Sequence, residues 1–237
     1  FHHPGTCCRN AHFHCHNREY TTWLGELDGE KVLVMSTGMG GPSTAIGVEE
    51  LVTTGVDTFL RIGTCGACQP YLKLGSYIFS NISIGFDGVM NWYKEGEKIF
   101  LKDYEEAFVK HMEWPERFAR PYFVRASEKL AAKFSGMAEP GMTVSAPGFY
   151  GPQGRSVRLG LTLPDLIPKL ESFEFEGRRV TNIEMESSTV AGLAALLGHE
   201  AGTICLAVAN RHAQESNPDY KPLMENLVRA ALDRMTE

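Results

Sequence analysis

Residues 31–37, Lys-Val-Leu-Val-Met-Ser-Thr, form a short apolar run that stops at Gly38-Met39-Gly40-Gly41-Pro42-Ser43, after which Ile46, Val48 and Leu51 recur among polar neighbours. An apolar run bounded by glycines reads as a strand, and apolar positions at three- to four-residue spacing read as a helix. The same succession continues along the chain. Residues 57–63 form a second strand ending in Thr64-Cys65-Gly66-Ala67, and residues 76–84 a third, rich in β-branched and aromatic side chains. Residues 142–145, 180–183 and 203–209 read as buried strands, and 44–53, 127–134, 187–197 and 223–235 as helices. Strands alternating with helices imply an α/β sheet.

No internal repeat, Ser/Pro linker or low-complexity segment divides the 237 residues, so one domain is expected over 1–237. Residues 88–121 turn to Lys, Glu, Tyr and Trp and read as an excursion from that domain. With 29 acidic against 23 basic residues and no Lys/Arg run, the charge disfavours a nucleic-acid or anionic-membrane partner. The apolar stretches at 190–197 and 203–209 fall well short of the roughly 18 residues of a membrane span. Six cysteines without a paired CxxC pattern suit a reducing cytoplasm. The chain opens on Phe1-His2-His3-Pro4, which has no signal-peptide character, and an incomplete N-terminal part is expected.

Three places could carry chemistry. The 38–43 turn can present helix N–H groups to an anion, or it serves packing alone. Arg61 and Thr64 stand near the carboxyl end of a strand, where open α/β sheets bind ligands, although Arg61 could equally be satisfied by surface carboxylates. Glu184 and Glu186 follow the 180–183 strand and open a helix of small residues; either they complement the helix dipole or they are buried for a purpose. Cys7, Cys8, His12, His14, Cys15 and His16 fit no zinc-ligand spacing, so no metal role is assigned.

Read together, the segments 18–23 (Arg-Glu-Tyr-Thr-Thr-Trp), 36–43, 60–64 (Leu-Arg-Ile-Gly-Thr), 149–155 (Phe-Tyr-Gly-Pro-Gln-Gly-Arg), 182–187 (Asn-Ile-Glu-Met-Glu-Ser) and Asn210-Arg211 resemble the nucleoside phosphorylase family, in particular its uridine-cleaving members. The resemblance implies a single α/β domain with a twisted, partly barrel-like mixed sheet flanked by helices, and reversible phosphorolysis of uridine to uracil and ribose 1-phosphate. It implies no cofactor beyond inorganic phosphate as co-substrate. By the same resemblance Arg61 and Thr64 bind phosphate, Thr64 also lying near the ribose, and Gly5 and Arg9 form a further phosphate element. Arg18 would be a phosphate ligand donated by a neighbouring subunit. His2, Met185 and Glu186 correspond to ribose contacts, Phe149, Gln153 and Arg155 to the uracil pocket, and Arg211 to a partner of the base. Glu19, Met39 and Ser43 match positions that hold a monovalent cation between subunits in some members. The length of 88–121 favours a homodimer over a hexamer.

The chemistry agrees with that allocation. Breaking an N-glycosidic bond builds positive charge on the sugar and negative charge on the departing base, so anion-binding groups belong below the ribose and donors at the base. Gln153 and Arg155 can read the O2, N3–H and O4 edge of uracil. Purine-cleaving relatives carry an acidic residue where this chain has Asn210, and an amide is no general acid. The alternatives are a purine nucleoside phosphorylase or nucleosidase, and a non-catalytic nucleoside-binding protein on the same fold.

Overall fold

The structure, a computed structural model, describes residues 8–236. It opens with a small antiparallel sheet of β1 (Arg9–Asn17), β2 (Tyr20–Leu27) and β3 (Glu30–Met35), in that order. The first two of these strands are polar enough, and β1 exposed enough, to show no buried-strand pattern in the sequence. After β3 the glycine turn delivers the chain into α1 (Gly41–Thr53), with Pro42 in the first turn, where its missing N–H leaves no helical bond unmade.

The main sheet is built from β4 (Thr58–Ala67), β5 (Tyr77–Gly85), β6 (Tyr122–Arg125), β7 (Glu139–Ser145), β8 (Glu174–Phe175), β9 (Arg178–Glu184), β10 (Glu200–Asn210) and β11 (Glu215–Ser216). Its order is β11-β10-β4-β9-β7-β5-β6, with β8 beside β9. A further pairing of β10 with β5, at Ile204↔Phe79, turns the path β10-β4-β9-β7-β5 back on itself, so five strands enclose a barrel-like core. Within it β4 and β10 run parallel, as do β5, β7 and β9, and the two groups meet antiparallel. Consecutive residues are buried in these strands, as at Ile82–Gly85, Gly141–Ser145 and Ala201–Ala207, the mark of strands covered on both faces. β4 runs past the strand end read in the sequence, because Gly66 and Ala67 pair with Ile183 and Asn182.

The helices after the second strand are α2 (Lys102–Met112), α3 (Glu128–Lys133), α4 (Leu166–Ser172), α5 (Ser187–Leu197) and α6 (Lys221–Thr236). Small residues make α5 special. Ser187 through Ala194 are all buried, which lets this helix lie close against the sheet and against α1. Residues 88–121 contain two short 3-10 turns and α2, and Tyr104, Phe108 and Met112 of α2 are buried with Phe86, Phe123 and Phe173. That segment is therefore woven into the main core. Among the described residues no helix is long and apolar enough to cross a membrane.

One close approach fixes the edge of this core. Gly85 faces Tyr122 across the β5–β6 pair, and a Cβ on Gly85 would stand 2.0 Å from the Tyr122 ring. The ring is 1% exposed and tied by its hydroxyl, which donates to Asp87 Oδ1 at 2.8 Å and meets Ser188 Oγ at 2.9 Å. Gly85→Ala is therefore expected to cost about 1–3 kcal/mol of stability by overpacking. Urea unfolding checks this, and an unchanged midpoint would contradict the packing described.

Candidate active site

β7 and β9 run parallel with Ser145 opposite Glu184, so a hydroxyl on one strand meets a carboxylate on the next. The chain then turns at once into α5, and the first N–H groups of that helix, which have no partner within it, fall on the same carboxylate. Glu184 Oε1 accepts from Ser145 Oγ at 2.6 Å and from Ser187 Oγ at 2.8 Å, and Oε2 accepts from the N–H groups of Glu186 at 2.9 Å and Ser187 at 3.0 Å. Its side chain is 1% exposed, and Arg61 Nη1 lies 2.9 Å from Oε2. A buried carboxylate is tolerable only with such bonding and a countercharge.

Arg61 reaches this point because of where it sits on β4. A Cβ on Gly63, two residues on and on the same face of the strand, would lie 2.8–2.9 Å from the guanidinium, so glycine leaves the room in which Arg61 folds. Nη1 also donates to Cys205 Sγ at 3.3 Å, and Nη2 is paired with Glu186. Burial alone would lower the affinity of Arg61 for its proton, but the charge of Glu184, then Cys205 and Glu186, outweighs it and holds the guanidinium above its ordinary pKa. The other oxygen of Glu186, Oε1, accepts from the N–H of Gly40 at 2.5 Å. Gly40 has φ 92°, a backbone that favours glycine, and it caps α1.

The second half of the site comes from the loop after β7. A 3-10 turn at Gly151–Gln153 closes on Gly154 at φ 70°, which brings Arg155 back over its own loop. Arg155 Nη1 donates to Gln153 Oε1 at 2.6 Å and to the Phe149 carbonyl at 2.5 Å, and its guanidinium lies 3.9 Å from the Phe149 ring centroid. Arg211 Nη2 donates to the Gln153 carbonyl at 3.0 Å. Burial, followed by repulsion from Arg211, pushes Arg155 below its ordinary pKa, and burial does the same to Arg211. Among the described residues neither guanidinium has a carboxylate partner. Gln153 is buried, and its orientation is set because Oε1 faces Arg155. This end is positive and rich in donors, whereas the Arg61 end is balanced by carboxylates.

Arg61, Thr64, Met185 and Glu186 line the same broad depression as Phe149, Gln153, Arg155 and Arg211, an open space of about 3910 Å³ that also reaches the small sheet and α6; within it the Arg211 side chain lies over Gly66, two residues beyond Thr64. Arg9 and Arg18 do not line it; both are exposed on the small sheet, Arg18 in the β1–β2 turn at φ 53°. Gly5 and His2 lie outside the described residues. Ser43 Oγ donates to Glu19 Oε1 at 2.8 Å, while Met39 is 83% exposed beside them. One carboxylate and one hydroxyl are a thin oxygen set for a cation, which would need ligands from a second copy. Among the described residues no group of three or more His, Cys, Asp or Glu is arranged to hold a metal.

The Asn210 amide is fully bonded to backbone groups. Its Nδ2 donates to the carbonyls of Gln69 at 3.2 Å and Leu72 at 2.7 Å, and its Oδ1 accepts from the N–H groups of His212 and Ala213. Ionised Asp has no proton to donate and would set its charge against two carbonyl oxygens. Asn210→Asp is expected to lose about 1–3 kcal/mol of stability at neutral pH, and less near pH 4, where a protonated Asp regains one donor. Urea unfolding at the two pH values measures this; equal stability of variant and parent at neutral pH would contradict it. No gain of inosine cleavage is expected.

Ser145 and Gly63 were assigned no role from the sequence; the pair of carboxylates at a strand end hinted at Glu184, and the 38–43 glycine turn at the Gly40 N–H.

Comparison with known proteins agrees with this architecture. The family model of the phosphorylase superfamily matches residues 5–235. Uridine phosphorylase of Escherichia coli (strain K12) is 36% identical over 200 residues, covering 84% of this chain and 72% of the relative. Uridine phosphorylase of Thermococcus kodakarensis is 35% identical over 207 residues, covering 87% and 67%. The fold matches that of a Trypanosoma brucei nucleoside phosphorylase described as showing uridine phosphorylase activity, with a TM-score of 0.82 over 97% of this chain and 86% of that one, at 23% identity. With the family model matched over nearly its whole length and close to a third or more of its residues shared with these relatives, this chain belongs to the phosphorylase superfamily.

Proposed function

We propose that the protein catalyses the reversible phosphorolysis of uridine to uracil and ribose 1-phosphate. The observation that carries this reading is one cleft with two differently charged ends, Arg61 anchored by Glu184 at one and Gln153, Arg155 and Arg211 at the other. The similarity to uridine phosphorylases supports it.

In this reading phosphate is held by Arg61, Thr64 and the Gly40 N–H, and one of its oxygens attacks C1′ of the ribose. The C1′–N1 bond breaks, and its electron pair passes to uracil, where the charge spreads to O2 and O4. Gln153 and Arg155 stabilise that charge, Arg211 holds the Gln153 backbone in place, and Phe149 stacks on the base. Glu186 and Met185 position the ribose. Phosphate supplies the nucleophile, so the reaction needs no covalent enzyme intermediate. The Asn210 amide is committed to a turn, which leaves no acid at that position for a purine leaving group.

Incubating uridine and inosine with and without phosphate tests the proposal. Uracil released only when phosphate is present is the expected result. Hypoxanthine release would favour the purine reading, and nucleoside binding without turnover would favour a non-catalytic protein.

The reading extends to the assembly. A homodimer in which the exposed Arg18 and the Gly5–Arg9 segment reach a phosphate site is proposed, with His2 at the ribose; a fully active monomer in sedimentation would contradict it. Glu19, Met39 and Ser43 from two copies would make the cation site, which added potassium should then stabilise against heat. The single domain over 1–237 should unfold in one transition, and cell fractionation should find the protein in the cytoplasm.

A further inference from the structure

The two carboxylates on Arg61 are held very differently. Glu184 uses both oxygens for donors fixed by the fold: Ser145 Oγ and Ser187 Oγ on Oε1, and the N–H groups of Glu186 and Ser187 on Oε2. It cannot leave Arg61 without breaking the start of α5. Among the described residues the Glu186 carboxylate has two partners, the Gly40 N–H and Arg61 Nη2, and it lines the cleft. Those partners are a backbone amide at the N-terminus of a 13-residue helix and a guanidinium already anchored from behind. Together they form a donor set suited to a phosphate oxygen pair.

Resting on the proposed phosphorolysis, we propose that Glu186 holds the place phosphate needs, so that phosphate binds by displacing the Glu186 carboxylate from Arg61 and Gly40 while Glu184 keeps Arg61 in position. A phosphate dianion and a carboxylate on the same two donors repel one another, and neither can be fully bonded there while the other remains. Displacement also resolves the double duty of Glu186. Once released from Arg61, the carboxylate is free to accept from a ribose hydroxyl. Glu184 is a positioning residue, acting on phosphate only through Arg61.

The two glutamates should therefore respond in opposite directions. If both merely added negative charge near the anion, removing either would tighten phosphate binding. The test is calorimetric titration of inorganic phosphate, without nucleoside, into the full chain carrying Glu186→Gln, Glu186→Asp or Glu184→Gln. Glu186→Gln should bind phosphate roughly tenfold more tightly than the parent, the size of one charge-assisted hydrogen bond no longer in competition. Glu186→Asp, too short to span both donors, should also bind more tightly while keeping the charge. Glu184→Gln should bind roughly tenfold more weakly, because the guanidinium loses its fixed partner. Thermal melts accompany each titration, and if Glu184→Gln fails to fold, the two Glu186 variants decide alone. Phosphate affinity unchanged or weakened in Glu186→Gln would overturn the displacement. A parent protein that binds no phosphate at millimolar concentration would overturn the phosphorolysis reading itself, a result distinct from parent binding with the wrong response at Glu186.

Discussion

Replacing Arg61 with Ala is expected to lower kcat/KM for uridine phosphorolysis by roughly a thousandfold or more, the cost of removing an oriented cation from developing charge. The loss should be accompanied by unfolding at lower urea, because Glu184, at 1% side-chain exposure, would be left without its countercharge. Breaking one side of a buried pair costs about 3–5 kcal/mol, and the 16% exposure of Arg61 places this site toward the lower end. Arg61→Lys separates the two effects. A lysine keeps a charge for Glu184 but cannot span Glu184, Cys205 and the cleft at once, so stability should largely return while phosphate saturation stays weak. Wild-type phosphate saturation in Arg61→Lys would show that the forked geometry has no part in binding.

At the opposite end of the cleft, Arg155→Ala and Gln153→Ala should each cost roughly 2–4 kcal/mol in transition-state stabilisation. Arg155 does two things at once: it offers charge to the base and it fixes the Gln153 amide through Oε1 at 2.6 Å. The double variant should therefore lose less than the sum of the singles, since the second substitution removes a group the first has already set loose. A leaving group that carries its own charge better should need these residues less. Rates with 5-fluorouridine, whose fluorine withdraws electrons from the departing base, should fall less in both variants than rates with uridine. Equal losses on the two substrates would place Gln153 and Arg155 outside the leaving-group contacts.

The strands covered on both faces were the most legible in the sequence. Residues 31–35, 58–63, 77–84, 142–145, 180–183 and 203–209 fall in strands, and in the last four of these segments burial on two sides leaves an apolar run that needs no context. Of the small sheet only β3 was legible; β1, histidines included, is almost wholly exposed, and β2 mixes polar and apolar residues without a buried run. In α2 the apolar positions Tyr104, Phe108 and Met112 do recur at helical spacing, but Lys and Glu between them gave the segment the composition of a surface loop.

Within the site, strand ends pointed to Arg61, Thr64 and Glu186, which do line one cleft. The hold on Glu184 was not legible, because it comes from Ser145, 39 residues away in sequence and adjacent only through the β7–β9 register. Nor were the partners of Asn210 legible, because its amide donates to the carbonyls of Gln69 and Leu72, far back along the chain. Short-range pattern finds the chemistry-bearing residue types, and long-range pairing decides which way they face.

In the proposed reaction phosphate, seated on Arg61, is the nucleophile. Uridine incubated with phosphate carrying heavy oxygen at every position, in ordinary water, puts that claim to a single mass measurement. Attack by phosphate forms the C1′–O bond from a phosphate oxygen, so ribose 1-phosphate should appear with all of its phosphate oxygens labelled, in amounts equal to the uracil released. Free ribose appearing in step with uracil would mean that water attacks C1′, and would contradict the account.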